Sequence, residues 1–168
     1  MSPNDATPVD EAPAIDDAPS MSARLQLDAF LPYQLSVTSN AVSRAIASTY
    51  AARFGLKIPE WRVLAVLAEA AALSPRDLGA RTEMDKMTVS RAAAGLAGRG
   101  LVARAADAGD RRSHRLELTP AGRALHAEVA PLALALEAQL LDGLGAAELA
   151  ALRASLAKLK AAVLDVKP

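Results

Sequence analysis

A short stretch near the middle of the chain carries basic and hydroxyl side chains that can contact nucleic acid. Its polar positions, spaced as on one face of a helix, are Lys86, Thr88, Ser90, Arg91 and Arg99. A guanidinium can donate two hydrogen bonds to a guanine edge, and ammonium and hydroxyl groups can contact phosphates. The apolar positions of the opposite face are Val89, Ala92, Ala93 and Leu96. This pattern predicts an amphipathic helix whose polar face enters the major groove of DNA.

Directly after this helix, two short stretches typical of β-strands flank a loop rich in glycine, aspartate and arginine. The two stretches are residues 101–105 and 114–118. Together they predict a basic β-hairpin. We predict that Arg111 and Arg112 near its tip contact DNA, because arginines favour the strongly negative minor groove. Asp107 and Asp110 are expected to cap the turn and to hold these arginines in one orientation.

A shorter helix is predicted immediately before the helix that carries Lys86 to Arg99. Ser74 can cap it, Pro75 suits its first turn, and Asp77 can reach back to the cap. Ser74 and Arg76 are predicted to contact the DNA backbone from this helix. After a turn over residues 82–84, Asp85 offers a second cap. The two helices therefore have the form of a helix-turn-helix.

Longer apolar-periodic stretches surround this unit and predict helices from Pro32 to Gly55, from Pro59, from Pro120 towards Leu141, and over residues 146–164. Pro131 is expected to kink the third of these. We predict a mostly α protein with a small β-hairpin wing, in which a winged helix-turn-helix domain lies between long terminal helices. The predicted segments are a disordered acidic tail (1–24), an N-terminal helix (25–56), the winged domain (57–119) and C-terminal helices (120–168).

The charge is distributed unevenly along the chain, although the formal net charge is zero. Residues 1–23 carry five acidic and no basic side chains, which leaves fourteen acidic against nineteen basic side chains in the rest. The remainder is thus five units positive, a mild bias that is compatible with binding to nucleic acid.

Several classes of function are disfavoured by what the sequence lacks. It has no cysteine and two histidines, so disulfides, thiol chemistry and a metal site are not expected. It has no glycine-rich phosphate loop and no serine nucleophile motif, so we expect neither an enzyme nor a cofactor. We also expect no membrane span and no secretory signal, and therefore a cytoplasmic protein.

Residues 74–122 resemble the core of the MarR family of bacterial transcriptional regulators. The matching landmarks are Trp61-Arg62-Val63-Leu64, Thr88-Val89-Ser90-Arg91, Leu96, Gly100-Leu101-Val102, Arg104, Asp110-Arg111-Arg112 and Leu118-Thr119-Pro120-Ala121-Gly122. With its flanking helices the resemblance covers roughly residues 25–165. In one departure from the family pattern, Gly109 occupies a wing position where an arginine is common.

The resemblance implies a homodimer, formed through the N- and C-terminal helices, that binds a pseudo-palindromic double-stranded DNA operator. It also implies a repressor released by a small aromatic or lipophilic acid, with a pocket between the dimerisation helices and the winged domain. Tyr33, Ser36, Trp61 and Arg62 are the candidate ligand residues, because an aromatic wall and a guanidinium suit an aromatic carboxylate. Two alternatives remain open: a DNA-binding regulator without an effector, and a helical interaction module that binds no DNA.

Overall fold

A computed structural model of the protein describes residues 24–106 and 114–166. The acidic tail over residues 1–23 lies outside the described residues, as do Asp107, Gly109, Asp110, Arg111 and Arg112. The predictions made for those positions therefore stay predictions.

The described residues form six α-helices and one hairpin, which confirms the predicted fold class. After a 3₁₀ turn at Leu27–Ala29, the elements are α1 (Leu31–Phe54), α2 (Ile58–Glu69), α3 (Pro75–Thr82), α4 (Lys86–Gly98), β1 (Val102–Ala106), β2 (His114–Leu118), α5 (Pro120–Leu141) and α6 (Ala146–Asp165). The two strands pair antiparallel, with Val102 opposite Leu118. Helix α5 is continuous through Pro131, so this residue does not end the helix.

Local capping accounts for where the central helices begin and end. The side chains of Ser74, Asp85 and Thr119 accept hydrogen bonds from backbone amides at the starts of α3, α4 and α5. Helix α1 ends at Gly55, whose φ of 62° lies in the left-handed region that glycine adopts without strain. These are the caps that the sequence predicts.

The core lies where α2, α4 and the hairpin meet. Its fully buried large side chains include Tyr50, Leu56, Leu64, Leu78 and Leu96. Helix α4 approaches α2 closely at Gly95, where a Cβ atom would lie 2.6 Å from Oε1 of the buried Glu60. A side chain at this position would force the carboxylate to move, so Gly95 leaves room for the buried Glu60.

The link between α2 and α3 forms a bridge to the wing that the sequence did not reveal. The Leu73 amide donates to the Leu116 carbonyl at 3.0 Å, and the Leu116 amide donates back to the Leu73 carbonyl at 2.8 Å. This pair of bonds adds a short third strand segment to the hairpin. The base of the wing is therefore joined to the helix-turn-helix by backbone hydrogen bonds.

A compact junction also joins the wing to α5. The Thr119 hydroxyl donates to the Gly100 carbonyl at 2.7 Å and accepts from the Gly122 amide at 3.0 Å. The Thr119 amide donates to the Leu101 carbonyl at 3.1 Å. At Gly122 the helix backbone passes so close to Leu101 that a Cβ atom would lie 2.0 Å from its carbonyl oxygen.

The terminal helices leave much apolar surface uncovered. Every residue of α6 except the half-buried Leu149 is exposed, and so are all residues from 24 to 42. By length and hydropathy α5 would suffice to cross a membrane, which the sequence analysis did not anticipate. Gly122 and Val129 on α5 are buried and Leu125 packs against the core, while most of the other residues of the helix are exposed or half-buried.

Candidate nucleic-acid interface

Helix α4 presents a polar face on the outside of the domain. Lys86, Ser90 and Arg91 are exposed, and Thr88 is half-buried. The buried side chains of the opposite face are Val89, Ala92, Ala93 and Leu96, which are the four that the sequence placed there. The helix is thus held by its apolar face, and its polar face is available to a ligand as large as a DNA duplex.

Two of the predicted contact residues take part in the hydrogen bonds that cap helices in this structure, Ser74 as the cap of α3 and Thr88 as a donor to the cap of α4. The Thr88 hydroxyl donates to Oδ2 of Asp85 at 2.6 Å, and the Ser74 hydroxyl donates to Oδ2 of Asp77 at 2.7 Å. Each hydroxyl proton is therefore engaged within the protein. A phosphate offers only acceptors, so either side chain would have to give up this bond before donating to DNA.

The cap at the start of α4 depends on an ionised carboxylate. The Thr88 amide donates to Oδ1 of Asp85 at 2.8 Å. Hydrogen bonds from the Thr88 side chain and backbone hold the pKa of Asp85 below its ordinary value. Because the folded-state pKa is lowered, this stabilisation is complete above the unfolded-state pKa and is lost as the pH falls through the folded-state value.

We expect the melting temperature of wild type to exceed that of Asp85→Ala at neutral pH, because the variant loses the cap. The difference should shrink as the pH falls below about 4, where an unperturbed aspartate protonates. Thermal unfolding followed by circular dichroism from pH 7 to pH 3 measures it. Asp85→Asn is the matched control, since asparagine caps well without titrating. A difference between wild type and Asp85→Ala that stays constant over this range would contradict the role of the carboxylate.

Basic side chains from three elements surround the polar face of α4. One groove, of about 450 Å³, is lined by Pro75, Arg76, Gly79, Ala80 and Lys86. A second, of about 200 Å³, is lined by Pro75, Lys86, Val89, Ser90, Ala93, Arg104, His114 and Leu116. Lys86 belongs to both grooves, so α3, α4 and the base of the wing form one continuous surface. We call the surface carrying Arg76, Lys86, Ser90 and Arg104 the basic face, and we include Arg91, which is exposed on the same helix but lines a separate cavity beside the start of α2.

Arg99, which the sequence placed on the polar face of the helix, is exposed but binds within the protein. Its Nη2 donates to the Phe54 carbonyl at 2.8 Å, and its Nη1 donates to the Gly55 carbonyl at 3.3 Å. Helical spacing placed Arg99 on the polar face, but the end of α1 provides acceptors that the spacing cannot reveal. The guanidinium is thus used inside the protein.

The four candidate ligand residues are not brought together within one chain. Trp61 and Arg62 line a cavity of about 150 Å³ whose other lining residues are Ser43, Ile46, Tyr50 and Ile58. Tyr33 and Ser36, exposed on the first turns of α1, are not among the described residues that line it. Nη2 of Arg62 donates to the Ser43 hydroxyl at 3.1 Å, which fixes the guanidinium at the wall of the cavity.

Aromatic side chains from three helices meet beside this cavity. The Trp61 ring lies 5.5 Å from the Tyr50 ring and stacks on the His126 ring at the same centroid distance, with an interplanar angle of 14°. Burial raises the pKa of Tyr50, opposed in part by the nearby Arg62. His126 is half-buried against Trp61. No local sequence pattern indicates that α5 packs against Trp61.

A family model described as the MarR family matches residues 54–113. A MarR-family transcriptional regulator from Silicibacter pomeroyi is 31% identical, with a TM-score of 0.71 over 82% of this chain and 92% of its own. This chain belongs to the MarR family. No curated protein sequence gave a significant match.

Other MarR-family structures share the fold. A MarR/EmrR family regulator from Acinetobacter sp. ADP1 is 26% identical, with a TM-score of 0.78 over 84% of this chain and all of its own. BpsR from Bordetella bronchiseptica, whose DNA binding is regulated by 6-hydroxynicotinic acid, is 28% identical, with a TM-score of 0.73 over 81% of this chain and 96% of its own. This MarR-family chain is therefore a DNA-binding transcriptional regulator.

Proposed function

We propose that this MarR-family chain is a homodimeric repressor that binds a pseudo-palindromic operator and is released by a small aromatic acid. The basic face is the observation that carries the proposal. It places Lys86, Ser90 and Arg91 on the exposed side of a helix whose other side is buried. Side chains held on a rigid helix can read base edges in the major groove, while Arg76 and Arg104 beside them suit phosphate contacts.

The uncovered apolar surface of the terminal helices supports the dimer. On the C-terminal side the exposed large apolar side chains are Leu134, Leu140, Leu144, Leu152, Leu156, Leu159, Val163, Leu164 and Val166. Monomeric proteins rarely expose a patch of this extent, whereas homodimer interfaces are rich in such side chains. A twofold dimer carries two copies of α4 and requires two half-sites, about 34–36 Å or one helical turn apart.

The cavity beside Trp61 supports an acidic aromatic effector. Trp61 and Tyr50 supply aromatic walls, and the guanidinium of Arg62 can pair with a carboxylate. At about 150 Å³ the cavity is smaller than the ~300–1,000 Å³ of typical ligand sites. The ligand must therefore be small, or the cavity must widen on binding. The 6-hydroxynicotinic acid that regulates BpsR is a ring of suitable size and charge.

Release from DNA follows if the ligand prefers a dimer in which the two basic faces no longer match the half-sites. Operator affinity then falls by the ratio of the ligand's affinities for the two arrangements, and by no more than that. The cavity lies between α1 and α2, so a ligand there can alter how the winged domain is held relative to the terminal helices. In this proposal the chain acts in the cytoplasm and has no catalytic activity.

Selection of duplexes from random DNA by the full-length protein tests the proposal. We expect enrichment of an inverted repeat, and a gel shift on it that weakens on the order of a thousandfold between 50 and 200 mM salt. A scrambled duplex of the same composition is the control. Absence of binding at low salt would contradict the proposal and favour an interaction module. Operator binding that no aromatic acid weakens, and no thermal shift with these acids, would instead favour a regulator without an effector.

A further inference from the structure

Arg99 lies at the far end of α4, and its guanidinium reaches back to the last turn of α1. It donates to two consecutive carbonyls, those of Phe54 at 2.8 Å and Gly55 at 3.3 Å. We propose that Arg99 is a positioning residue that connects α4, the helix predicted to enter the major groove, to α1. Through this connection it determines which spacing between half-sites the dimer can bind. The inference rests on the proposed function, since it requires a dimer that reads two half-sites.

The end of a helix is a favourable place for such a contact. The last carbonyls of α1 have no amide of the next turn to bond, and they carry the partial negative charge of the helix dipole. Arginine offers several N–H donors in a planar fork, so one side chain can satisfy two neighbouring carbonyls. Lysine would supply the charge without this geometry.

The part of α1 that Arg99 contacts is itself attached to α5. The Arg53 guanidinium lies 4.9 Å from the centroid of the Phe54 ring, and Nη2 of Arg53 lies 4.0 Å from Oε2 of Glu128 on α5. Phe54 also packs against the core. The carbonyls that Arg99 contacts therefore lie in a turn of α1 that is packed against the core and has only a weak, exposed ion pair to α5.

The rest of α4 is held by different means. Its apolar face is buried up to Leu96, and Gly95 packs against Glu60 of α2. After Leu96 the chain is exposed from residue 97 to residue 100. Loss of the Arg99 contacts would leave the core intact while removing a direct tie between the exposed end of α4 and α1.

The length of α4 makes the position of its DNA-facing end sensitive to small rotations about the Arg99 end. A helix of 13 residues is roughly 20 Å long, so a tilt of roughly 5° about one end displaces the other by roughly 2 Å. Displacements of this size in both subunits change the separation of the two reading helices by a large part of one base-pair step, which is ~3.4 Å. Holding the end of α4 to α1 thus restricts the spacings that fit.

The test measures affinity for three duplexes: the inverted repeat selected by wild type, and the same repeat with its centre lengthened or shortened by one base pair. We expect wild type to bind both altered duplexes much more weakly. Arg99→Gln should bind the selected duplex about three- to tenfold more weakly, because α4 must then adopt the position that fits this duplex without the bonds that hold it there, which are comparable to one net hydrogen bond. Arg99→Gln should also discriminate less between the three spacings. The discrimination shown by Arg99→Lys should be intermediate between those of Arg99→Gln and wild type. Arg44→Gln, which removes the same charge from an exposed position on α1, should keep the wild-type preference.

Two results would overturn the inference. One is a wild-type spacing preference in Arg99→Gln. The other is a uniform loss of affinity with a salt slope reduced by about 0.9 per subunit, which would make Arg99 a phosphate contact. Should Arg99→Gln not fold, the spacing preference of Arg99→Lys decides the question in the same way. If wild type selects no inverted repeat, the proposed function fails, and that outcome differs from both.

Discussion

Gly122→Ala should destabilise the protein by about 3 kcal/mol, at the upper end of what overpacking costs. In most helices alanine is more favourable than glycine by about 1 kcal/mol, so the expected sign is reversed here. The reason is a backbone contact. A Cβ atom at Gly122 would lie 2.0 Å from the Leu101 carbonyl oxygen and 3.0 Å from its carbon. Neither atom can turn away as a side chain does, so α5 and the start of the wing must separate.

Urea unfolding of wild type, Gly122→Ala and Gly98→Ala measures this effect. Gly98 is the matched control, because a Cβ atom there meets nothing within 4 Å and the residue also lies in a helix. We expect Gly98→Ala to be as stable as wild type or slightly more stable. Equal stability of Gly122→Ala and wild type would contradict the close approach of α5 to Leu101. The separation should also break the bond from the Thr119 amide to that carbonyl, because both groups lie in the same junction.

Arg91→Ala should weaken binding to the selected operator by about 2–6 kcal/mol, because a base-reading arginine contributes about 1–3 kcal/mol and a dimer has two. Arg91 is exposed on α4 and lines a cavity of about 340 Å³ together with Lys57, Pro59, Glu60, Thr88 and Ala92. Its guanidinium therefore extends from the rigid face of a buried helix. The loss should be larger on the operator than on unrelated DNA, because a base contact contributes to specific binding alone.

Fluorescence anisotropy with operator and scrambled duplexes separates the contribution of Arg91 to base recognition from its contribution to sequence-independent binding. Arg91→Lys keeps the charge but cannot form the bidentate bond to guanine, so it should lose specificity while keeping the salt dependence. Arg44→Ala removes the same charge from α1 and should leave both affinities near those of wild type. If Arg91→Ala bound the operator as tightly as wild type does, the reading surface would have to lie elsewhere.

The sequence predicted those parts of the fold that depend on neighbouring residues. The caps at Ser74, Asp85 and Thr119 involve partners three residues away, so their side-chain types and spacing suffice to predict them. The buried face of α4 follows from helical period alone.

The sequence could not predict contacts between residues that are distant along the chain. The bridge from Leu73 to Leu116 consists of backbone groups, which every residue except proline carries, so no residue type marks it. The bonds of Arg99 to α1 could not be predicted either, because helical spacing gives the direction of a side chain and not the presence of the α1 carbonyls near it. Likewise, Ser43, Tyr50 and His126 join Trp61 and Arg62 only through the packing of three helices.

The Leu73–Leu116 bridge and the junction at Thr119 have a consequence for how regulators of this architecture can diverge. Both strands of the hairpin are anchored at their base, one end by Thr119 and Leu101 and the other by Leu73. Residues 107–113 lie beyond these anchors along the chain. Insertions or exchanges in that stretch can therefore be accepted without redirecting α4. The minor-groove contacts predicted for the tip and the major-groove contacts predicted for α4 are in this sense separate, and a chain could change the first while keeping the second.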